Sequence, residues 1–505
     1  MRNARLTLDP AFTVGPVPHR LFGSFVEHMG RCVYTGIFEP DHPTADEDGL
    51  RGDVLELTKQ IAPTVVRYPG GNFVSGFEWE DSVGPREERP RRIDRAWRSV
   101  ETNQFGLAEF DSWARKVGTE TMMAVNLGTR GLQDACNLLE YTNLNSGTKY
   151  SDLRVAHGTK DPLDIKLWCL GNELDGPWQT GHKTAHEYGR LAAETGMAMR
   201  SIDPDIELVA VGSSSRSMPT FGEWESTVLD LSYHAVDYIS CHAYYEESDG
   251  DAASFLASAV DMDLFIDQVV ATADAVRAKG KHNKRINISF DEWNVWYQSR
   301  PHHAPGVQPW DVAPRVIEDE YSITDAVVVG TLLNSLLRHA DRVTIGAQAQ
   351  LVNVIGLLRS EAGGEAWKQT IAHPFEQMRH LATGDVLRVA TTSDKYETDK
   401  FGDVDVVDAS ATWNDDTSTV SLFLANRDQS ESASVEVSLR GFDVSKVVNA
   451  KVLAATEGQD RNTTNATGSH DQVGLRPLQD VSIVDGVATV VLPPLSWAVV
   501  QVAKA

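Results

Sequence analysis

From Leu21 to Asn353 the chain repeats one theme: a short apolar run that stops at polar or glycine-rich residues. Leu21–Val26 stops at Glu27-His28, Thr64–Tyr68 at Pro69-Gly70-Gly71-Asn72, Thr121–Leu127 at Gly128, and Leu167–Leu170 at Gly171-Asn172-Glu173. Ile206–Val211 stops at Gly212, and Tyr238–Cys241 at His242-Ala243-Tyr244-Tyr245. Ile286–Phe290 stops at Asp291-Glu292-Trp293-Asn294, and Val343–Ile345 leads through Gln348 and Gln350 to Asn353. Runs of this length suit strands buried on both faces. Between them the apolar period lengthens to that of helices. In Thr184–Ile202 the side chains of Tyr188, Leu191, Ala192, Thr195, Met199 and Ile202 share one face, behind a Thr184…Glu187 capping box. Phe265–Val276 and Ile323–His339 read the same way, the second behind Ser322…Asp325. Eight strands alternating with helices predict a parallel (β/α)8 barrel over residues 16–383 rather than an open doubly wound sheet.

After Gly384 the period shortens to two. Val435-Glu436-Val437-Ser438-Leu439 alternates strictly, Val487–Leu492 in part, and Asn414-Asp415-Asp416 and Asp485-Gly486 supply turns. Short strands without helices predict a β-sandwich over residues 384–505, with 456–472 as a polar loop. Ala4, Leu6 and Leu8 also alternate with polar residues, so residues 1–15 are expected to contribute a strand to that sandwich.

Composition narrows the function. The hydrophobic fraction of 41% over 505 residues is ample for large cores, and a net charge of −26 with a pI near 4.9 argues against nucleic acid or an anionic membrane as partner. The N-terminal residues show no apolar leader, and Cys32, Cys136, Cys169 and Cys241 are scattered without a C-x-x-C spacing. A cytoplasmic location is expected. His182/His186 has no evident carboxylate co-ligand, and His302-His303 lies in a proline-rich loop, Gln298–Pro314, expected to shape the substrate entrance or a subunit contact, so no metal is expected, nor any organic cofactor.

The chemistry concentrates at the strand ends, where a parallel barrel keeps its active site. Glu173 follows the fourth apolar run and Glu292 the seventh. Each carboxylate alone could merely cap the next helix. Taken as a pair, they fit glycoside hydrolysis, in which one carboxylic acid protonates the leaving oxygen and the other carboxylate attacks the sugar or activates water. A separation of about 5–5.5 Å means retention and about 6.5–9.5 Å inversion. Polar strand-end residues able to hold sugar hydroxyls are Glu27, Asn72, Asn172, Tyr244 and Gln350, with Trp97, Trp178 and Trp293 in adjoining loops.

These segments resemble one family. Gly23–Arg31 (G-S-F-V-E-H-M-G-R), Arg67–Pro85 (R-Y-P-G-G-N-F-V-S-G-F-E-W-E-D-S-V-G-P), Trp168–Trp178 (W-C-L-G-N-E-L-D-G-P-W), Asp291–Tyr297 (D-E-W-N-V-W-Y) and Ala349–Gly356 (A-Q-L-V-N-V-I-G) are similar to glycoside hydrolase family 51 α-L-arabinofuranosidases, in the family's order. The resemblance implies a TIM barrel with a C-terminal jelly-roll β-sandwich and a retaining, exo-acting double displacement without cofactor. It implies Glu173 as acid/base and Glu292 as nucleophile. Asn172, Glu27, Asn72, Tyr244 and Gln350 would hold the arabinofuranose, and Trp97 and Trp178 would flank the leaving group. Arabinan and arabinoxylan oligosaccharides are the implied substrates, and a homo-oligomer, often a hexamer, the implied assembly. Two roles call for two environments: an ionised, hydrogen-bonded Glu292 with Tyr244 as donor, and a Glu173 kept protonated by a less polar surround and by the neighbouring negative charge. A different retaining glycosidase, such as a β-xylosidase or endoglucanase, is the alternative on this scaffold, and a silent sugar-binding protein a weaker one.

Overall fold

The computed structural model describes residues 1–504. Eight parallel strands close into a barrel: Arg20–Phe25, Val65–Tyr68, Glu120–Ala124, Leu167–Cys169, Glu207–Ala210, Tyr238–Tyr245, Asn287–Val295 and Val343–Gln348. Each predicted apolar run is one of these strands. Closure comes where the eighth strand pairs with the first, Ala347 opposite Gly23. A Cβ on Gly23 would lie 2.5 Å from the Gly346 carbonyl, so this contact requires glycine. Val65, Met122, Ala124, Leu167, Cys169, Val209 and Ile345 fill the interior as a compact apolar cluster, which makes the barrel a packed core and not a channel. Arg67 lies above that plug, fully buried, at the level where the chemistry begins.

The helices form where predicted, with informative differences. Ala185–Ile202 starts at Thr184, whose hydroxyl accepts from Glu187 N while the Glu187 carboxylate accepts from Thr184 N. The helix expected over Phe265–Val276 extends from Ser258 to Gly280. Ile323–Arg338 is capped by Ser322 as expected, yet it is buried around almost its whole circumference. The barrel takes one side and the second domain the other. Asn334 donates to Asp408 at 2.7 Å and accepts from Ser410 at 2.7 Å, Arg338 pairs with Asp408, and Gly330 lies flat against Trp497.

That second domain is two stacked sheets. In one, Arg2–Thr7 lies between Ala390–Ser393 and Ala433–Ser438, followed by Val487–Leu492 and Val481–Val484. In the other, Thr13–Pro16 pairs with Asp385–Leu387, which continues through Val407–Asn414, Thr419–Asn426, Ser496–Ala503, Lys446–Leu453 and Arg476–Pro477. Alternate residues such as Leu6, Leu8, Val435, Val437, Leu422, Leu424, Val490 and Val500 make the core between the sheets. A hairpin of this domain, Lys395–Thr398 and Gly402–Asp405, leaves the sandwich and reaches the barrel: Tyr396 Oη donates to Ala253 O at 3.3 Å, and Lys400 N to Ser254 Oγ at 3.1 Å.

Candidate active site

The fourth strand delivers its carboxylate through a strained turn. Gly171 has φ +103° and Glu173 itself φ +42°, a left-handed conformation that side chains other than glycine adopt rarely. The turn is closed by Gly176 N bonding Glu173 O at 2.9 Å, and the Glu173 side chain points over the barrel mouth, 8% exposed. The seventh strand uses a different device. Its register against the eighth shifts between Phe290 and Trp293, and that of the sixth against the seventh shifts between Ser240 and His242. Bulges of this kind re-aim side chains. Here successive residues Asp291 and Glu292 both reach His242, which lies directly opposite Glu292 in the ladder.

Around the two glutamates the donors are unequal. Glu292 receives Arg67 Nη1 on Oε1 at 2.7 Å and Tyr244 Oη on Oε2 at 2.8 Å. Glu173 receives Trp178 Nε1 on Oε2 at 2.7 Å and His242 Nδ1 on Oε1 at 2.9 Å, and no arginine. His242 Nε2 bonds Asp291 Oδ1 at 2.9 Å, and Ser289 Oγ steadies the same aspartate at 2.9 Å. Burial alone would strip the imidazole of its proton, but Glu292, Asp291 and Glu173 around it prevail and raise its pKa from 6.5 to about 10. At neutral pH an imidazolium therefore stands between the carboxylates. This differs from the less polar surround expected for Glu173. Its two oxygens meet a cation and an indole N–H.

One carboxylate oxygen from each glutamate and a ring nitrogen of His242 lie within 4.8 Å of one another. The two carboxylates therefore face one another across a single small space. Three such atoms could also ligand a cation, provided the imidazole were neutral.

The other strand-end residues complete the mouth. Glu27 Oε1 accepts from Trp97 Nε1 at 2.7 Å and Phe73 N at 3.0 Å, and Oε2 accepts from Gln350 Nε2 at 3.0 Å. Burial pushes the Glu27 carboxyl up to about 8 despite the Trp97 and Phe73 donors, and Glu292 adds to the rise. Asn172 Oδ1 accepts from Arg67 Nη2, while Asn172 Nδ2 faces Asn72 Oδ1 and Gln179 Oε1, each at 3.4 Å. Arg67 thus links Asn172 to Glu292. Trp97 stands on the Glu27 side of the mouth and Trp178, 53% exposed, on the Glu173 side. Trp293 does not join them. The seventh strand runs on to Val295, and Trp293 is fully buried in the core. Trp97 sits at the turn of a hairpin, Arg92–Asp94 and Ser99–Glu101, and the proline-rich loop after the seventh strand crosses onto it: Trp310 N donates to Arg98 O at 2.6 Å and Val100 N to Asp311 O at 3.1 Å.

Comparison with known proteins agrees with this geometry. Residues 57–262 match the family model described as "Alpha-L-arabinofuranosidase 1 domain", and residues 291–496 match "Alpha-L-arabinofuranosidase C-terminal domain". The chain is 58% identical over 98% of its length to an intracellular exo-alpha-(1->5)-L-arabinofuranosidase of Streptomyces lividans, covering 75% of that protein. It is 52% identical over 99% of its length to an exo-alpha-(1->6)-L-arabinofuranosidase of Bifidobacterium longum, covering 98% of it. The chain belongs to the α-L-arabinofuranosidases of glycoside hydrolase family 51. A solved family 51 α-L-arabinofuranosidase from Bifidobacterium longum superposes with a TM-score of 0.95 at 44% identity, over 99% of both chains. The family's barrel-plus-sandwich architecture is the one described above. The second family model begins at Asp291, inside the seventh barrel strand, so its limits do not coincide with those of the sandwich.

Arg67, His242 and Asp291 are the participants that strand-end reasoning gave no role. Arg67 carried a signal: a guanidinium within the apolar run V-V-R-Y is a buried charge, and a buried charge requires a partner.

Proposed function

We propose that Glu292 and Glu173 are the nucleophile and the acid/base of an exo-acting α-L-arabinofuranosidase that works by double displacement. The reading rests on one observation above the others: two buried carboxylates from the fourth and seventh strand ends whose oxygens lie within 4.8 Å. Glu292, held by Arg67 and Tyr244, attacks the anomeric carbon. Glu173 gives its proton to the departing glycosidic oxygen, and the leaving sugar departs as an alcohol. A glycosyl ester on Glu292 remains. Glu173, now a carboxylate, takes a proton from water, the resulting hydroxyl adds to the anomeric carbon, and Glu292 is released. Two inversions give net retention.

Glu27, Asn72, Asn172, Tyr244 and Gln350 would hold the terminal arabinofuranose, and Trp97 and Trp178 would border the leaving group. The substrates are arabinofuranosyl-capped oligosaccharides from arabinan and arabinoxylan. The two relatives named above are described as acting on 1→5 and 1→6 bonds. A cytoplasmic location is supported by relatives named intracellular, and among the described residues no helix is long and apolar enough to cross a membrane. A homo-oligomer, with a hexamer the expected state, is what the family resemblance implies, and light scattering checks it. The test of activity is a panel of nitrophenyl glycosides with defined arabino-oligosaccharides. Turnover of the α-L-arabinofuranoside with release of single arabinose units is expected. Preference for the β-xyloside, or internal cleavage, would favour a different glycosidase.

A further inference from the structure

A cavity of about 380 Å³ opens on the barrel rim next to Tyr244, the residue whose hydroxyl bonds Glu292. That volume is within the range of small-molecule sites. Its walls come from three places. Arg216 and Ser217 belong to the loop after the fifth strand, Tyr244 and Glu246 to the end of the sixth, and Lys400 and Phe401 to the turn of the hairpin that the sandwich sends across to the barrel.

These walls are held in place. Arg216 Nε donates to Asp261 Oδ1 at 2.8 Å, and Tyr245 Oη donates to the same carboxylate at 3.2 Å. Glu246 accepts from Ser299 N at 3.1 Å and Ser299 Oγ at 2.7 Å. The hairpin turn is pinned by the Tyr396–Ala253 and Lys400–Ser254 bonds. The cavity also adjoins the acid/base side of the mouth. Asp175, two residues beyond Glu173, accepts from Ser214 N at 2.9 Å and Ser214 Oγ at 3.0 Å, and Ser214 leads directly into the cavity-lining Ser215–Ser217.

We infer that this cavity is a distal leaving-group subsite, which takes a sugar unit beyond the one directly attached to the scissile bond, and that the β-sandwich supplies its outer wall. The inference rests on the glycosidase reading above. The lining suits a neutral sugar: Arg216 is offset by Asp261, Lys400 has Asp251 as a charged neighbour, hydroxyl-binding groups surround the space, and the half-buried Phe401 ring offers an apolar surface. An acidic or basic ligand would leave one wall unmatched.

The test compares kcat/KM for a linear arabinotetraose with kcat/KM for nitrophenyl α-L-arabinofuranoside, whose single-ring leaving group carries no further sugar unit. Two variants are used, Phe401→Ala to remove the apolar wall and Ser217→Trp to fill the space. Both are expected to lower the tetraose-to-nitrophenyl ratio about tenfold, with nitrophenyl turnover unchanged. An unchanged ratio in both variants, or an equal loss on both substrates, overturns the subsite. Absence of nitrophenyl turnover in the unsubstituted protein would instead refute the glycosidase reading beneath it.

Discussion

The two ends of the barrel carry the same kinds of side chain to different effect. At the floor, Arg20, Glu120 and Glu207 are the first residues of the first, third and fifth strands, and Arg20 binds Glu120 at 2.6 Å and Glu207 at 2.9 Å. Tyr238 donates its hydroxyl to Glu207. At the rim, Arg67 binds Glu292, and Tyr244 donates its hydroxyl to that glutamate. Both ends show an arginine, glutamates and a tyrosine. The floor side chains keep 18–36% of their exposure, whereas Arg67 and Glu292 keep 2% and 6%. Water screens the floor and lets it serve as a brace. At the rim, dehydration strengthens every charge interaction, and one carboxylate, Glu173, has no arginine. The rim differs from the floor in standing dry and in holding a second carboxylate, Glu173, whose partners are His242 and Trp178.

Four substitutions would break or sharpen this contrast. Glu292→Ala has the largest expected effect, a loss of turnover on the order of 10,000-fold on nitrophenyl arabinofuranoside, with azide restoring it and giving the inverted glycosyl azide. Glu173→Ala should lower kcat on arabino-oligosaccharides by roughly 100- to 10,000-fold, with a much smaller loss on substrates whose leaving group needs no proton. Measuring both substrate classes separates the two glutamates.

His242→Asn comes next, with an expected loss of about a hundredfold from misplacement of Glu173 and an altered pH–rate profile. It has a second readout. The folded imidazole holds its proton up to about pH 10, whereas the free side chain titrates near 6.5. Its contribution to stability is therefore complete below pH 6.5 and is lost as pH rises through 10. Denaturant titrations of the wild type should show that decline, and the Asn variant should lack it. Arg20→Ala, at the floor, should cost about 1–2 kcal/mol of stability and leave kcat unchanged. A matching loss of kcat would dissolve the distinction between the two ends.

Much of this was legible in the sequence because barrel strands buried on both faces write themselves as uninterrupted apolar runs, and the residue after each run faces the mouth. Strand-end position and residue type singled out Glu173, Glu292, Glu27, Asn72, Asn172, Tyr244 and Gln350 as candidates, and their proposed roles came from the family resemblance. Three features were not legible. The partner of Arg67 lies 225 residues away, and only closure of the barrel brings it there. His242 stood at a strand end, but its bridge between two carboxylates depends on bulges in the sixth and seventh strands that leave no sequence signal. Ile323–Arg338 reads as a helix with one apolar face, yet the sandwich buries its other side as well.

The most direct test of the central claim is peptide mass spectrometry after reaction with an activated 2-fluoro-arabinofuranoside, a substrate whose glycosyl-enzyme intermediate persists. A single glycosyl adduct is expected on the peptide containing Glu292. An adduct on Glu173, or turnover with inversion and no adduct, would contradict it.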